Sequence, residues 1–121
     1  MPKAKLINKT LKLPLLDIIK YQINMHCFLN EIRVSPAQLN CLGLLGLYGE
    51  INMSDFCAEV VSEEIFGNVQ TTRNFITKCV KSKTVIRKGL GNKNICLHPE
   101  LEIQTKGTIV LNLKLFHLET N

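Results

Sequence analysis

Ser35-Pro36-Ala37-Gln38 is the feature that most constrains this chain. Ser35 is a good helix N-cap, proline is at home in the first helical turn, and Gln38 completes a capping box. A helix must therefore start here. Leu39, Leu42, Leu45 and Leu47 are its expected core face. Gly43 and Gly46 leave room for another element to approach closely, and Gly49 is placed to end the helix.

The flanking stretches follow from periodicity. Residues 15–32 admit two readings. Leu15, Ile19, Ile23, Phe28 and Ile32 share much of a helical face, whereas Ile19, Tyr21, Ile23, Met25, Cys27 and Leu29 alternate as in a strand. A helix is favoured, because the stretch is long and lacks Gly and Pro. Past Gly49, Ser54-Asp55 is expected to cap a short helix carrying Phe56, Val60 and Val61. Phe66-Gly67-Asn68 reads as a turn. A third helix is expected to open at Gln70 or Thr71, with Phe75, Ile76, Cys79 and Val80 inward. Gln70, Arg73, Asn74, Thr77, Lys78 and Lys81 are expected on its outer side. Thr84–Lys88 and Asn94–His98 read as two strands joined by Gly89-Leu90-Gly91-Asn92-Lys93, a hairpin with a basic tip that Pro99 ends. Residues 108–118 read as a further strand, with Ile109, Leu111, Leu113 and Leu115 on one side.

Charge is unevenly distributed. The 121 residues carry a net charge of +5, yet no Asp or Glu occurs between Ile65 and Pro99. That window holds Arg73, Lys78, Lys81, Lys83, Arg87, Lys88 and Lys93, a local charge of +7, and leaves the remainder at −2. A basic half attached to a mildly acidic remainder points to a polyanionic partner. A solvated basic face that aids solubility is the plain alternative.

Helix, short helix, turn, helix and basic hairpin, running from Ser35 to Leu97, resemble the winged helix-turn-helix family and its MarR-like members in particular. The resemblance covers about half the chain and rests on element order, with no single diagnostic motif. It implies an α+β fold: a winged helix-turn-helix with an N-terminal helix (or strand) and a C-terminal β-strand extension. The expected organisation is one domain over 1–121, with a basic arm at 1–14, a winged-helix core at 15–98 and a strand extension at 99–121. The third helix would enter the major groove of double-stranded DNA. Gln70, Arg73, Asn74 and Thr77 would lie towards the bases, with Arg73 and Asn74 as base readers. Lys78, Lys81, Arg87, Lys88 and Lys93 would contact phosphates. The implied function is that of a non-catalytic transcriptional regulator, acting as a dimer in the cytoplasm of a bacterial or phage-infected cell.

A second expectation is kept beside it. Small Lys-, Asn- and Ile-rich winged helices resemble bacteriophage proteins in style. The alternative is a virion component, such as a ring or head–tail connector, that uses the fold as a protein–protein module. The 109–115 strand would then be an oligomer interface, and Glu50, Asp55, Glu59, Glu63 and Glu64 would meet the basic face of the next subunit.

No cofactor, metal or catalytic group is expected. Cys27, Cys41, Cys57, Cys79 and Cys96 include no C-x-x-C pair and sit in apolar stretches, as small buried hydrophobes do. His26, His98 and His117 lie at no metal-ligand spacing. Gly89-Leu90-Gly91 is too short for a dinucleotide loop. No window approaches the ~20 apolar residues of a membrane span, and no secretory signal pattern is expected at the N-terminus.

Overall fold

A computed structural model describes residues 14–106. The described residues form four helices and a small three-stranded antiparallel sheet, an α+β arrangement. Nearly all of the basic arm, and the expected interface positions Ile109, Leu111, Leu113 and Leu115, lie outside them.

The first helix, α1 (Leu15–Leu29), resolves the ambiguity of its stretch. Ile19, Ile23 and Cys27 are buried at four-residue spacing. The alternating reading would have put Tyr21 and Leu29 on the same face as Ile19, but they are 56% and 58% exposed. Asp17 in the first turn suits the positive end of the helix dipole. At the other end Glu31 takes a left-handed φ of 56°, and the amide of Ile32 turns back to the Cys27 carbonyl at 2.8 Å.

Helix α2 (Pro36–Tyr48) opens with the expected reciprocal cap. The Gln38 amide donates to Ser35 Oγ at 3.1 Å, and the Ser35 amide donates to Gln38 Oε1 at 2.9 Å. Leu42 and Leu45 are fully buried, and Leu39 packs against the core. Leu47 departs from expectation and is 43% exposed. A two-residue step crosses the helix, so a residue two beyond the buried Leu45 faces the opposite side. Helix α1 crosses α2 at its glycines. A Cβ on Gly46 would lie 2.7 Å from Ile19 Cγ2 and 3.0 Å from Leu97 Cδ1, and one on Gly43 would lie 2.7 Å from Lys20 Cγ.

Strand β1 (Ile51–Asn52) runs directly into α3 (Met53–Ser62). The cap here is Asn52 and not the expected Ser54-Asp55. Asn52 Oδ1 accepts from the Ser54 and Asp55 amides at 2.9 and 3.3 Å. Asparagine caps as well as serine or aspartate, and strand pairing holds Asn52 in the extended conformation that a cap requires (φ −61°, ψ 138°). Helix α4 (Val69–Lys81) likewise begins slightly before its expected start, because Asn68 Oδ1 accepts from the Thr71 amide at 2.7 Å. Phe75, Ile76 and Cys79 are buried as expected. Thr72 joins them, its hydroxyl donating to the Asn68 carbonyl at 3.2 Å.

Strands β2 (Val85–Lys88) and β3 (Asn94–Leu97) form the hairpin, with Lys88 opposite Asn94 and Arg87 opposite Ile95. At its tip Gly89 and Gly91 take φ of 80° and 69°, which the turn demands of glycine. The sheet order is β1-β3-β2. β3 is therefore central, and its Ile95 pairs with Ile51 and points into the core. Beyond it, Leu101 is buried, and both polar atoms of the Gln22 side chain pair with the Gln104 backbone at 2.7 Å.

Candidate nucleic-acid interface

Helix α4 buries one face and leaves the opposite one open. Gln70, Asn74, Thr77 and Lys81 recur at steps of four, three and four residues, so they form one stripe along the helix. All four are exposed, and the buried Thr72, Phe75, Ile76 and Cys79 lie on the other side. Within the stripe, Gln70 Nε2 donates to Asn74 Oδ1 at 2.9 Å. The free amide hydrogens of that pair and the Thr77 hydroxyl remain as polar groups facing outward. Lys78 is exposed to one side of the stripe.

Arg73 does not share that stripe. It is half-buried, and its Nη2 donates to Ser54 Oγ at 2.9 Å, across to the start of α3. Between α3, α4 and the hairpin lies a solvent-open cleft of about 450 Å³. Arg73, Arg87 and Lys93 line it with Asn52, Ser54 and Asn92, over Met53. Three of the expected cationic positions thus converge, from α4, from β2 and from the hairpin turn. No carboxylate is among the lining residues.

The cleft walls are tied together. The Met53 amide donates to the Lys93 carbonyl at 2.9 Å, joining the start of α3 to the hairpin. Asn52 pairs with Asn94 in the sheet, and Asn94 Nδ2 donates to Glu50 Oε2 at 2.9 Å. Lys88 is exposed at the end of β2 but does not line the cleft. Lys83 sits in the α4–β2 turn with φ of 60°.

Asn52, Ser54 and Asn92 were not anticipated from the sequence. Ser54 and Arg73 are 19 residues apart, and nothing local in either segment announces their contact. The one available hint was Asn52 itself, a good capping residue directly before the apolar-periodic stretch that starts at Met53.

The cysteines serve packing. Four are buried and Cys96 is half-buried. Burial pushes the Cys79 thiol up to about 12 and raises those of Cys27, Cys41, Cys57 and Cys96. At Cys57 the nearby Arg73 charge opposes that rise. The His98 ring accepts from the Glu100 amide at 3.1 Å and so caps a short 3-10 turn. Among the described residues no group of three or more His, Cys, Asp or Glu side chains is arranged to hold a metal ion. No helix among them is long and apolar enough to cross a membrane.

No family model, curated protein or solved structure matches this chain.

Proposed function

We propose that this chain is a non-catalytic winged helix-turn-helix protein that binds double-stranded DNA and acts as a dimeric transcriptional regulator. The run α2–β1–α3–α4–β2–β3, with the sheet in the order β1-β3-β2, supports that architecture. In this reading α4 enters the major groove, which admits a helix, and the β2–β3 hairpin is the wing.

One observation carries the proposal. The polar stripe of α4 lies opposite its buried face and stands beside a cleft lined by three cations and no carboxylate. Amide side chains such as Gln70 and Asn74 can read adenine through paired donor and acceptor atoms. Lys78, Lys81, Arg87, Lys88 and Lys93 supply the charge that positions the helix on phosphates.

The test is fluorescence anisotropy of the full chain on random duplex DNA at ~50 and ~200 mM salt. Six or seven phosphate contacts give a log–log slope of about −6. A steep loss of affinity over that range is the expected result. Absence of binding at the lower salt overturns the proposal.

A second reading is favoured by a different surface. Leu15, Tyr21 and Leu29 are exposed along α1, which contributes nothing to the basic cleft. Exposed apolar residues along one helix suit contact with another protein. This agrees with a virion assembly component, in which the fold is a building block. Rings seen by electron microscopy, together with no DNA binding, would establish it.

A further inference from the structure

We propose that the cleft between the start of α3, α4 and the turn end of the hairpin seats one backbone phosphate of the duplex, with Arg73 and Arg87 as its two guanidinium donors and Lys93 as a third cation. The inference rests on the duplex reading above and changes one part of it. Arg73 grips phosphate, and base reading falls to Gln70, Asn74 and Thr77.

The placement of Arg73 separates the two roles. It lies one residue before Asn74 and three after Gln70, which turns it off the outward stripe by about 70°. Its hydrogen bond to Ser54 Oγ holds the guanidinium towards α3 and into the cleft. That bond uses one N–H of the five in the fork. The others are available to an anion, and the Ser54 hydroxyl keeps its own proton to donate.

The donor set fits a phosphate. A guanidinium fork matches two phosphate oxygens at once, and such charge-assisted bonds are roughly twice as strong as neutral ones. Three cations in one cleft repel each other, and no lining carboxylate relieves the repulsion. A single anion does. The α3 amides contribute little, since those of Ser54 and Asp55 already donate to Asn52. The cleft is open to solvent, so a polymer can pass through it.

The backbone around the seat is also tied down before binding. The Met53–Lys93 backbone hydrogen bond and the pairing of Asn52 with Asn94 hold α3 against the hairpin. Arg87 is fixed opposite Ile95 in the same sheet. Backbone ordering is thus met before binding, and the ordering cost that remains is that of the Arg87 and Lys93 side chains.

The experiment compares the wild-type full chain with Arg73→Ala, Arg73→Lys and Asn74→Ala on random duplex and on a duplex selected from a random pool. Arg73→Ala should weaken both duplexes by the same factor and make the salt slope shallower by about one. Between ~50 and ~200 mM salt its loss of affinity should be about fourfold smaller than that of the wild type. Arg73→Lys should recover the slope but only part of the affinity, because it keeps the charge and loses the fork. Asn74→Ala should reduce preference for the selected duplex at unchanged slope. If Arg73→Ala instead erases sequence preference and leaves the slope alone, Arg73 reads a base and the seat is refuted. If the wild type binds no duplex, the duplex reading fails by itself. Titration with inorganic phosphate, followed at the arginine Nε–H signals by NMR, then decides the seat. Saturable shifts at Arg73 and Arg87 support it, and their absence overturns it.

Discussion

Helices α2 and α4 have the same length, thirteen residues, and opposite destinies. Helix α2 contains no charged residue, whereas α4 contains Arg73, Lys78 and Lys81 and no acid. Helix α2 is enclosed, with α1 against its glycines and β3 beside it. Helix α4 packs on one side only, against α3 and β2, and opens the other to solvent. A helix that touches neighbours around much of its circumference has little freedom to change. A helix held along one stripe is free to vary its outer residues, and binding chemistry can be placed there at small cost to stability.

The largest test of that contrast is to truncate both helices. Leu45→Ala in α2 removes a fully buried side chain and should cost about 2–5 kcal/mol of unfolding free energy. Thr77→Ala on the open face of α4 should stay within about 0.5 kcal/mol. Urea unfolding followed by circular dichroism measures both. Equal losses would break the contrast.

The α2 glycines sharpen it at a finer scale. Gly46→Ala sets a methyl against Ile19 Cγ2 and Leu97 Cδ1, both parts of packed apolar side chains. Overpacking of about 1–3 kcal/mol should outweigh the gain of about 1 kcal/mol in helix propensity. Gly43→Ala meets Lys20 Cγ at 2.7 Å and Leu16 Cδ1 at 3.0 Å, but both side chains are only half-buried and can give, so it should cost less than Gly46→Ala. The difference in thermal midpoint between the two variants reads out how tightly α1 and β3 clasp α2.

The smallest effect is set by pH, in the core that both helices line. Burial raises the thiols of Cys41 in α2 and Cys79 in α4, with a smaller push from Cys79 on Cys41 and from Cys27 on Cys79. The Cys79 thiol ionises near 12 when folded, against an ordinary value of 9.0. Below pH 9 both states hold the proton and stability is unaffected. Above it the unfolded chain binds fewer protons than the folded one, so stability falls as pH rises towards 12. Each such thiol contributes at most about 1.4 kcal/mol per pH unit. Urea midpoints at pH 8 and pH 10 should show the decline, and Cys79→Ala should reduce it.

Much of the fold was legible because its signals are local. The Ser35–Gln38 cap and the glycine-rich hairpin each act within a few residues. The outward stripe of α4 was legible too, because its spacing matches the helical period. Misreadings came where local rules leave two options. Leu47 was grouped with the core leucines by type, although a two-residue step carries it across the helix. Ser54-Asp55 could cap a helix, but strand pairing had already extended Asn52 and made it the cap. The alternation in residues 15–32 gave way to a helix because Ile19, Ile23 and Cys27 find a common partner in the rest of the core.

The sequence by itself determined where α2 begins, which face of α4 is apolar and that the basic residues fall in one acid-free window. Each depends on neighbours a few positions away, through capping, side-chain periodicity and charge. Only the tertiary structure decided that Arg73, Arg87 and Lys93 share one cleft, and that Arg73 turns to Ser54 and leaves the stripe. Those contacts join segments far apart in the chain, and their geometry is set by how α3, α4 and the hairpin pack on a common core.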